Sequence, residues 1–235
     1  MTDVLIATGI LLILLPIAFN VAFAALAARF EYPDILRRPT SEVLEKFRAG
    51  GTGLVLLWWA FAMTAVLLAP AAVLLSASLE GAAPALVATA TVIGVLAAAT
   101  QFLGLIRWPF LVPFLARADA EPDASPARRE AVDIVFQAFH RYLGVAVGEH
   151  LGYLFTGVWT ILSGVAIVAS GTISDWIGVA GIVIGALLAL CAFEFVGAFE
   201  DRGWRFAGAI TPFVYIAWSM WLVATGAGLL IAAFA

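Results

Sequence analysis

The chain has 235 residues, of which 64% are apolar and 12% are charged. A typical soluble domain carries about 25% charged residues, so this composition excludes a water-soluble globule. The formal net charge is −4, and the placement of the charges along the chain is more informative than their sum. A single cysteine, Cys191, excludes an intramolecular disulfide and a metal site built from several cysteines.

Six apolar segments are each long enough to cross about 30 Å of hydrocarbon as a helix. They cover residues 4–28, 50–79, 83–106, 141–170, 176–199 and 206–234. Hydrocarbon offers the backbone no hydrogen-bond partner, so we expect these segments to be helical. The sequence therefore predicts an all-α polytopic membrane bundle with six transmembrane helices, in which residues 1–235 form one integral-membrane domain.

The basic residues predict the orientation of the bundle. All 12 Lys and Arg residues lie in or beside the connections 30–49, 107–140 and 200–205. By the positive-inside rule these three loops are cytoplasmic, and both termini lie outside. A cleaved signal peptide ending near Ala25-Leu26-Ala27 is the competing interpretation of the first segment, but the basic residues with which such a peptide begins are missing.

The two longer cytoplasmic loops differ in their predicted structure. In the first, two prolines give an extended path, and Thr40 or Ser41 then caps a short amphipathic helix. That helix carries Val43, Leu44 and Phe47 on one side and is expected to lie at the membrane interface. The third connection is rich in Ala, Asp, Glu and Pro over residues 117–129, and we expect a mobile loop there.

Strongly polar side chains are rare in the apolar segments, and their cost in a bilayer makes them functional candidates. Asn20, Gln101, Glu149 and Glu194 come from four different segments. Each lies about 9 to 13 Å along its helix from the nearest basic residue at the segment end. Because the four residues lie at a similar depth, we predict a shared polar cavity or a buried hydrogen-bond layer. The sequence leaves open whether the four helices are neighbours.

Helical periodicity adds aromatic candidates to this set. At 100° per residue, Tyr142, Glu149, Tyr153, Thr156 and Thr160 share one face of the fourth segment. A second stripe follows Tyr215 and Trp218 in the last segment. Packing alone is the alternative explanation for these side chains. The predicted ligand-binding residues are Asn20, Trp58, Trp59, Gln101, Glu149, His150, Tyr153, Glu194, Tyr215 and Trp218.

Several kinds of chemistry are excluded because the residues that they need are missing or badly placed. Retinal attachment needs a lysine inside a span, but the only lysine is Lys46 in a loop. His140 and His150 lie on one chain segment about 15 Å apart as a helix, so they do not suit a haem sandwiched between two histidines. We therefore predict no cofactor and no metal. A basic patch for nucleic acid is also missing.

Three functional hypotheses remain open. The first is a membrane protein that binds or transports a small or lipophilic ligand in a cavity of the inner leaflet. The second is an intramembrane enzyme in which Glu149 or Glu194 acts as the catalytic acid or base on an isoprenoid or lipid. The third is a non-catalytic regulatory or structural subunit. Membrane lipids are expected partners, and a homo-oligomer or a protein partner stays open.

Four stretches of the sequence resemble a known family when they are taken together. They lie at 30–51, 107–116, 136–162 and 215–222, and the most diagnostic part is GEHLGY, residues 148–153. The chain resembles bacterial multi-pass membrane proteins grouped as domain-of-unknown-function family 4386. The resemblance implies a protein of the bacterial cytoplasmic (inner) membrane with a similar number of spans. It implies no activity, substrate or catalytic residue.

Overall fold

The computed structural model describes residues 2–235, and every regular element in that range is helical. The all-α prediction is thus confirmed for this part of the chain. Two 3₁₀ turns, Asp34–Arg37 and Gly197–Phe199, lie in the connections. The longer elements are α1 (Thr2–Phe30), α2 (Thr40–Ala49), α3 (Gly51–Ser78), α4 (Pro84–Phe110), α5 (Val112–Asp119), α6 (Pro126–Phe139), a π-helical segment (His140–Leu151), α7 (Gly152–Ser170), α8 (Asp175–Cys191) and α9 (Arg205–Phe234).

Five helical stretches within residues 2–235 are long and apolar enough to cross a membrane. They are Thr2–Phe30, Gly51–Ser78, Pro84–Asp119, Pro126–Ser170 and Arg205–Phe234. The sixth predicted span corresponds to α8, an apolar helix of 17 residues. The fold is therefore that of a multi-pass membrane protein, whereas the count of six spans and the orientation of the termini stay predictions.

The predicted fifth segment, 176–199, is not one continuous helix. Helix α8 ends at Cys191, and the chain then continues through turns to the start of α9. His150 Nδ1 lies 2.7 Å from the carbonyl oxygen of Ala192 and donates to it. This bond satisfies a carbonyl that the end of the helix leaves without an intrahelical partner. Residues 192–199 are mostly apolar, so hydropathy alone gave no sign of this helix end.

The six long helices pack in a closed ring. Helix α1 packs against α3, and the ring continues through α4, α7, α8 and α9 back to α1. Neighbours in the ring are thus neighbours in the chain, except for the pair formed by the first and last helices. The π-helical segment continues the α7 rod and packs against α4.

Glycines bring the ring helices into backbone contact, as their frequency in the last three segments predicts. A Cβ atom added at Gly157 of α7 would lie 2.6 Å from the carbonyl oxygen of Gly185 of α8. A Cβ atom added at Gly164 would lie 2.5 Å from the carbonyl oxygen of Gly178. Only glycine fits at such positions because backbone atoms cannot move aside as a flexible side chain can.

Replacing Gly157 by alanine should therefore destabilise the protein. The new methyl group would push α7 away from α8, and overpacking of this kind costs about 1–3 kcal/mol. The measurement is the thermal unfolding midpoint in detergent, followed by circular dichroism. Gly53→Ala is the matched control, because no atom lies within 4 Å of a Cβ placed there. Equal midpoints for the two variants would contradict close packing at Gly157.

Helices α2, α5 and α6 form a second apolar cluster at the end of the bundle that carries the basic residues. Val43, Leu44 and Phe47 of α2 are buried in it, which confirms the amphipathic pattern of this helix. Helix α2 packs against α5. Residues 120–125 form the loop between α5 and α6, and the ends of the predicted loop 117–129 belong to those helices. Ser125 caps α6 by accepting a hydrogen bond from the backbone N–H of Arg128 at 3.3 Å, and α6 buries Val132 and Phe136.

Glu31 ties the first connection together. Its carboxylate pairs with both Arg38 and Lys46. Its backbone has φ 57°, in the left-handed region that a non-glycine residue rarely adopts. The hydrogen bond from Lys46 is the largest of the causes that lower the pKa of the Glu31 carboxyl below its ordinary value of 4.5.

The stabilising effect of Glu31 should depend on pH. A carboxyl whose pKa is lowered by folding stabilises the folded state above its unfolded pKa, here 4.5. That contribution is lost as the pH falls through the lower pKa of the folded state. We expect the unfolding midpoints of the wild type and Glu31→Gln to differ at neutral pH and to converge on acidification. Glu42→Gln is the control, because Glu42 is exposed and forms no ion pair within residues 2–235. A difference that is independent of pH would contradict this role.

Candidate functional site

A cavity of about 520 Å³ lies inside the ring, at the end nearer to the basic loops. Its volume is in the range of small-molecule sites in proteins. Helices α1, α3, α4, α7 and α9, the π-helical segment and the first connection all contribute to its wall. The polar lining residues are Asn20, Tyr32, Gln101, Arg107, Glu149, Tyr153, Thr211 and Tyr215.

Among the six helices of the ring, only α8 contributes no residue to the cavity wall. Along the contact between α7 and α8, Gly157 faces Gly185, and His150 faces Ala192 just beyond the end of α8. At the level of Glu149 the ring therefore lacks a regular helix beside α7. The irregular segment that follows α8 lies there instead, with Ala192 against His150 and Glu194 against Gly208 of α9.

The π-helical segment places Glu149 on the cavity wall. Hydrogen bonds in a π-helix join residues five apart, so Gly144 and Glu149 lie on one face, and both line the cavity. The Glu149 carboxylate takes part in none of the hydrogen bonds or ion pairs found among residues 2–235. It is an ionisable group that faces a cavity without a partner from the described chain.

Arg107 lies on the same wall as Glu149. A Cβ atom added at Gly144 would lie 2.6 Å from Arg107 Nη2, so the guanidinium rests directly on that glycine. Arg107 donates to the carbonyl oxygen of Gly104 and lies 5.4 Å from the centre of the Trp108 ring. Its Nη2 is 3.4 Å from His140 Nδ1. These contacts hold a cation one π-helical turn from Glu149.

Asn20 and Gln101 also line the cavity, so three of the four polar residues predicted at one level share it. Asn20 Nδ2 donates to Ser219 Oγ at 3.0 Å and links α1 to α9. Gln101 Nε2 donates to Thr156 Oγ1 at 2.7 Å and links α4 to α7. Each amide thus joins two helices of the ring while it faces the cavity.

Aromatic rings form much of the remaining wall. Tyr153 and Tyr215 both line the cavity, with ring centroids 5.2 Å apart. Tyr215 lies 6.1 Å from Phe19, which in turn lies 5.1 Å from Phe61. Tyr153 and Tyr215, both predicted at the site, therefore belong to one aromatic surface of the cavity wall.

Glu194 and His150 were predicted at the site but do not line the cavity. Glu194 follows the end of α8, where its Oε1 lies 2.6 Å from a Cβ position built on Gly208. His150 is engaged with the carbonyl of Ala192. The prediction placed Glu194 by extending a regular helix to residue 199, and the end of α8 at Cys191 invalidates that extension.

The three predicted tryptophans also lie outside the cavity wall. Trp58 is fully buried and stacks on Trp108 with centroids 4.4 Å apart. Trp218 donates from Nε1 to Thr160 Oγ1 at 2.9 Å, a packing role between α9 and α7. Trp59 is 46% exposed on the outer surface of the bundle. Helical periodicity and depth along a segment could not distinguish a tryptophan that faces the cavity from one that packs elsewhere, since all three lie deep in apolar segments.

Four of the five residues in the predicted stripe of the fourth segment face the cavity or the interior of the bundle. Glu149 and Tyr153 line the cavity, and Thr156 and Thr160 are buried. Tyr142, however, is 68% exposed. A π-helix turns less per residue than an α-helix, so a spacing of seven residues no longer returns to the same face.

Arg107 is the functional candidate that the sequence analysis missed. It stands at the end of an apolar segment, where a basic residue ordinarily only anchors the span at the interface. The sequence signal that could have pointed to Arg107 is the pair Gly144 and Gly148, because two glycines leave room for a large side chain and for the close approach of α4. Gly148 does meet α4, because a Cβ atom there would lie 3.0 Å from the Cα of Gly104.

The apolar ring of helices defines the class of this protein, a multi-pass α-helical membrane protein. The chain belongs to the family described as a domain of unknown function (DUF4386), whose model matches residues 7–226. The family resemblance seen in the sequence is thereby confirmed. No curated protein and no solved structure matches the chain significantly.

The structure predicts a packing role for His150 that is separate from the cavity. His150→Leu removes the donor to the Ala192 carbonyl, and an unsatisfied buried group costs about 1–3 kcal/mol. We expect a lower thermal unfolding midpoint in detergent. Tyr142→Phe is the control, because Tyr142 is exposed on the same segment. An unchanged midpoint for His150→Leu would show that the bond does not stabilise the end of α8.

Proposed function

We propose that the protein binds a small amphiphilic ligand in the cavity, with the polar group of the ligand beside Glu149 and Arg107. The observation that carries this proposal is the Glu149 carboxylate, which faces a cavity of about 520 Å³ without a partner from residues 2–235. An ionisable side chain inside a membrane bundle is costly. A ligand that donates a hydrogen bond to Glu149 would offset that cost.

The wall beside Glu149 supports a polar group of defined chemistry. Arg107 rests on Gly144, one π-helical turn away, and takes part in no ion pair within the described residues. A guanidinium only donates hydrogen bonds, whereas a carboxylate only accepts them. A ligand group that both donates and accepts, such as a hydroxyl or an amide, would satisfy both side chains together.

The rest of the wall favours an apolar ligand body. Phe19, Phe23, Phe61 and Tyr215 line the cavity on the side of α1, α3 and α9. Their rings contact one another and present a continuous apolar surface. Aromatic side chains of this kind dominate the burial of small ligands because each covers a large area.

The alternative hypothesis is an intramembrane enzyme in which Glu149 or Glu194 acts as the catalytic acid or base. Of these two carboxyl groups only Glu149 lines the cavity, so a mechanism that uses both has no geometric support. Ligand binding needs Glu149 and Arg107 alone.

Native mass spectrometry of the detergent-purified protein, with lipid analysis of the extract, tests the proposal. We expect a bound small molecule at a fixed stoichiometry in the wild type. Loss of a hydrogen bond to a charged group costs about 1.5–3 kcal/mol, so the affinity for the ligand should fall about tenfold or more in Glu149→Gln, and less ligand should be retained. Glu194→Gln is the matched control, since that carboxyl lies outside the cavity wall, and it should retain the ligand.

A second variant tests the same site without removing a charged group. Gly144→Ala places a methyl group against the guanidinium of Arg107, so it should displace Arg107 and also lower ligand occupancy. An apo mass for the wild type, or equal occupancy in Glu149→Gln and Glu194→Gln, would contradict the proposal. Thermal unfolding of each variant separates loss of ligand from loss of fold.

A further inference from the structure

We infer that the ligand enters the cavity sideways from the bilayer, through an opening between α1 and α9, and is therefore a membrane-borne lipophile. This inference rests on the proposed binding function and adds the source of the ligand. It depends on where the cavity wall reaches the outer surface of the bundle.

The exposed part of the wall is concentrated on two helices. Asn20 and Ala24 of α1 and Pro212 and Ile216 of α9 line the cavity and are exposed, with Ile216 54% accessible. The lining residues of α3, α4, α7 and the π-helical segment are buried or partly buried. The cavity therefore meets the outer surface along the contact between α1 and α9.

The contact between α1 and α9 is closest at the end away from the basic loops. The two helices touch near Gly9, where an added Cβ atom would lie 2.8 Å from the carbonyl oxygen of Gly226. The hydrogen bond from Asn20 to Ser219 still joins them further along. Ala24 lies about 22 Å along α1 from Gly9, beyond that bond. Pro212 lies inside α9 at the same end, and a proline inside a helix favours a bend.

The surface around the opening is apolar. Val21 of α1 and Phe213 of α9 flank it and are 65% and 72% exposed. Arg29 marks the basic end of α1, and Ala24 lies about 8 Å from it along the helix. The opening thus faces hydrocarbon in the leaflet beside the basic loops. The acyl chain of a lipid in that leaflet is the occupant that this geometry fits.

Photolabelling in proteoliposomes tests the lateral route. The probe is a diacylglycerol with a diazirine in the middle of one acyl chain, because its free hydroxyl both donates and accepts hydrogen bonds and its two chains keep it in the bilayer. After irradiation, peptide mass spectrometry should find adducts on the interior residues Gln101 and Tyr153 as well as on lipid-facing positions. Ala24→Trp would fill the opening, and labelling of the interior should fall several-fold while labelling of the outer surface stays constant.

Leu14→Trp is the matched control, because Leu14 is 56% exposed on α1 and does not line the cavity. It should leave interior labelling unchanged. Ile216→Trp blocks the opening from the other side and replaces Ala24→Trp if that variant does not fold. Adducts confined to the outer surface, or interior labelling that neither blocking variant lowers, would overturn the lateral route.

The outcomes also separate this inference from the binding function. Pro33 is exposed and lines the cavity in the first connection, so entry from water is the competing route. A charged, water-soluble diazirine that labels Gln101 and Tyr153 when the lipid probe does not would overturn the lateral route. Ligand retention in native mass spectrometry would then still support binding. Loss of both interior labelling and retention would overturn both proposals.

Discussion

A bilayer offers no hydrogen bond to the peptide backbone, and this constraint shapes both the fold and the cavity. Each long apolar segment satisfies it by forming a helix. Helix α8 ends early, at Cys191, and the carbonyl of Ala192 then needs a donor from elsewhere. The imidazole of His150 supplies it at 2.7 Å. The carbonyl at the end of α8 is thus satisfied inside the bundle, as a membrane environment requires.

The bundle is tight in one half and open in the other. Glycines bring α7 against α8 and α1 against α9 with almost no space between backbones, as at Gly164 and Gly178. Towards the basic loops the helices surround a cavity lined by Glu149 and Arg107. Close glycine packing persists on one side of it, where Gly104 of α4 meets Gly148 of the π-helical segment.

The depth argument from the sequence assumed that each helix is regular up to the residue concerned. Asn20 and Gln101 lie on uninterrupted α-helix, and both line the cavity. Glu194 follows the end of α8 and does not line it, because the helix expected to carry it ends first. Arg107 was missed for a different reason, since a basic residue at the end of a span ordinarily faces the interface rather than a cavity.

The sequence by itself determined the class of the protein, the helical character of its segments and the polar residues worth testing. These properties follow from local hydropathy and from the backbone's need for hydrogen bonds, which neighbouring residues satisfy. Tertiary structure decided that α8 stops at Cys191, that residues 140–151 form a π-helix and that Arg107 and Glu149 line one cavity. Those outcomes depend on contacts between distant segments, such as His150 with Ala192 and Arg107 with Gly144, which no local pattern records.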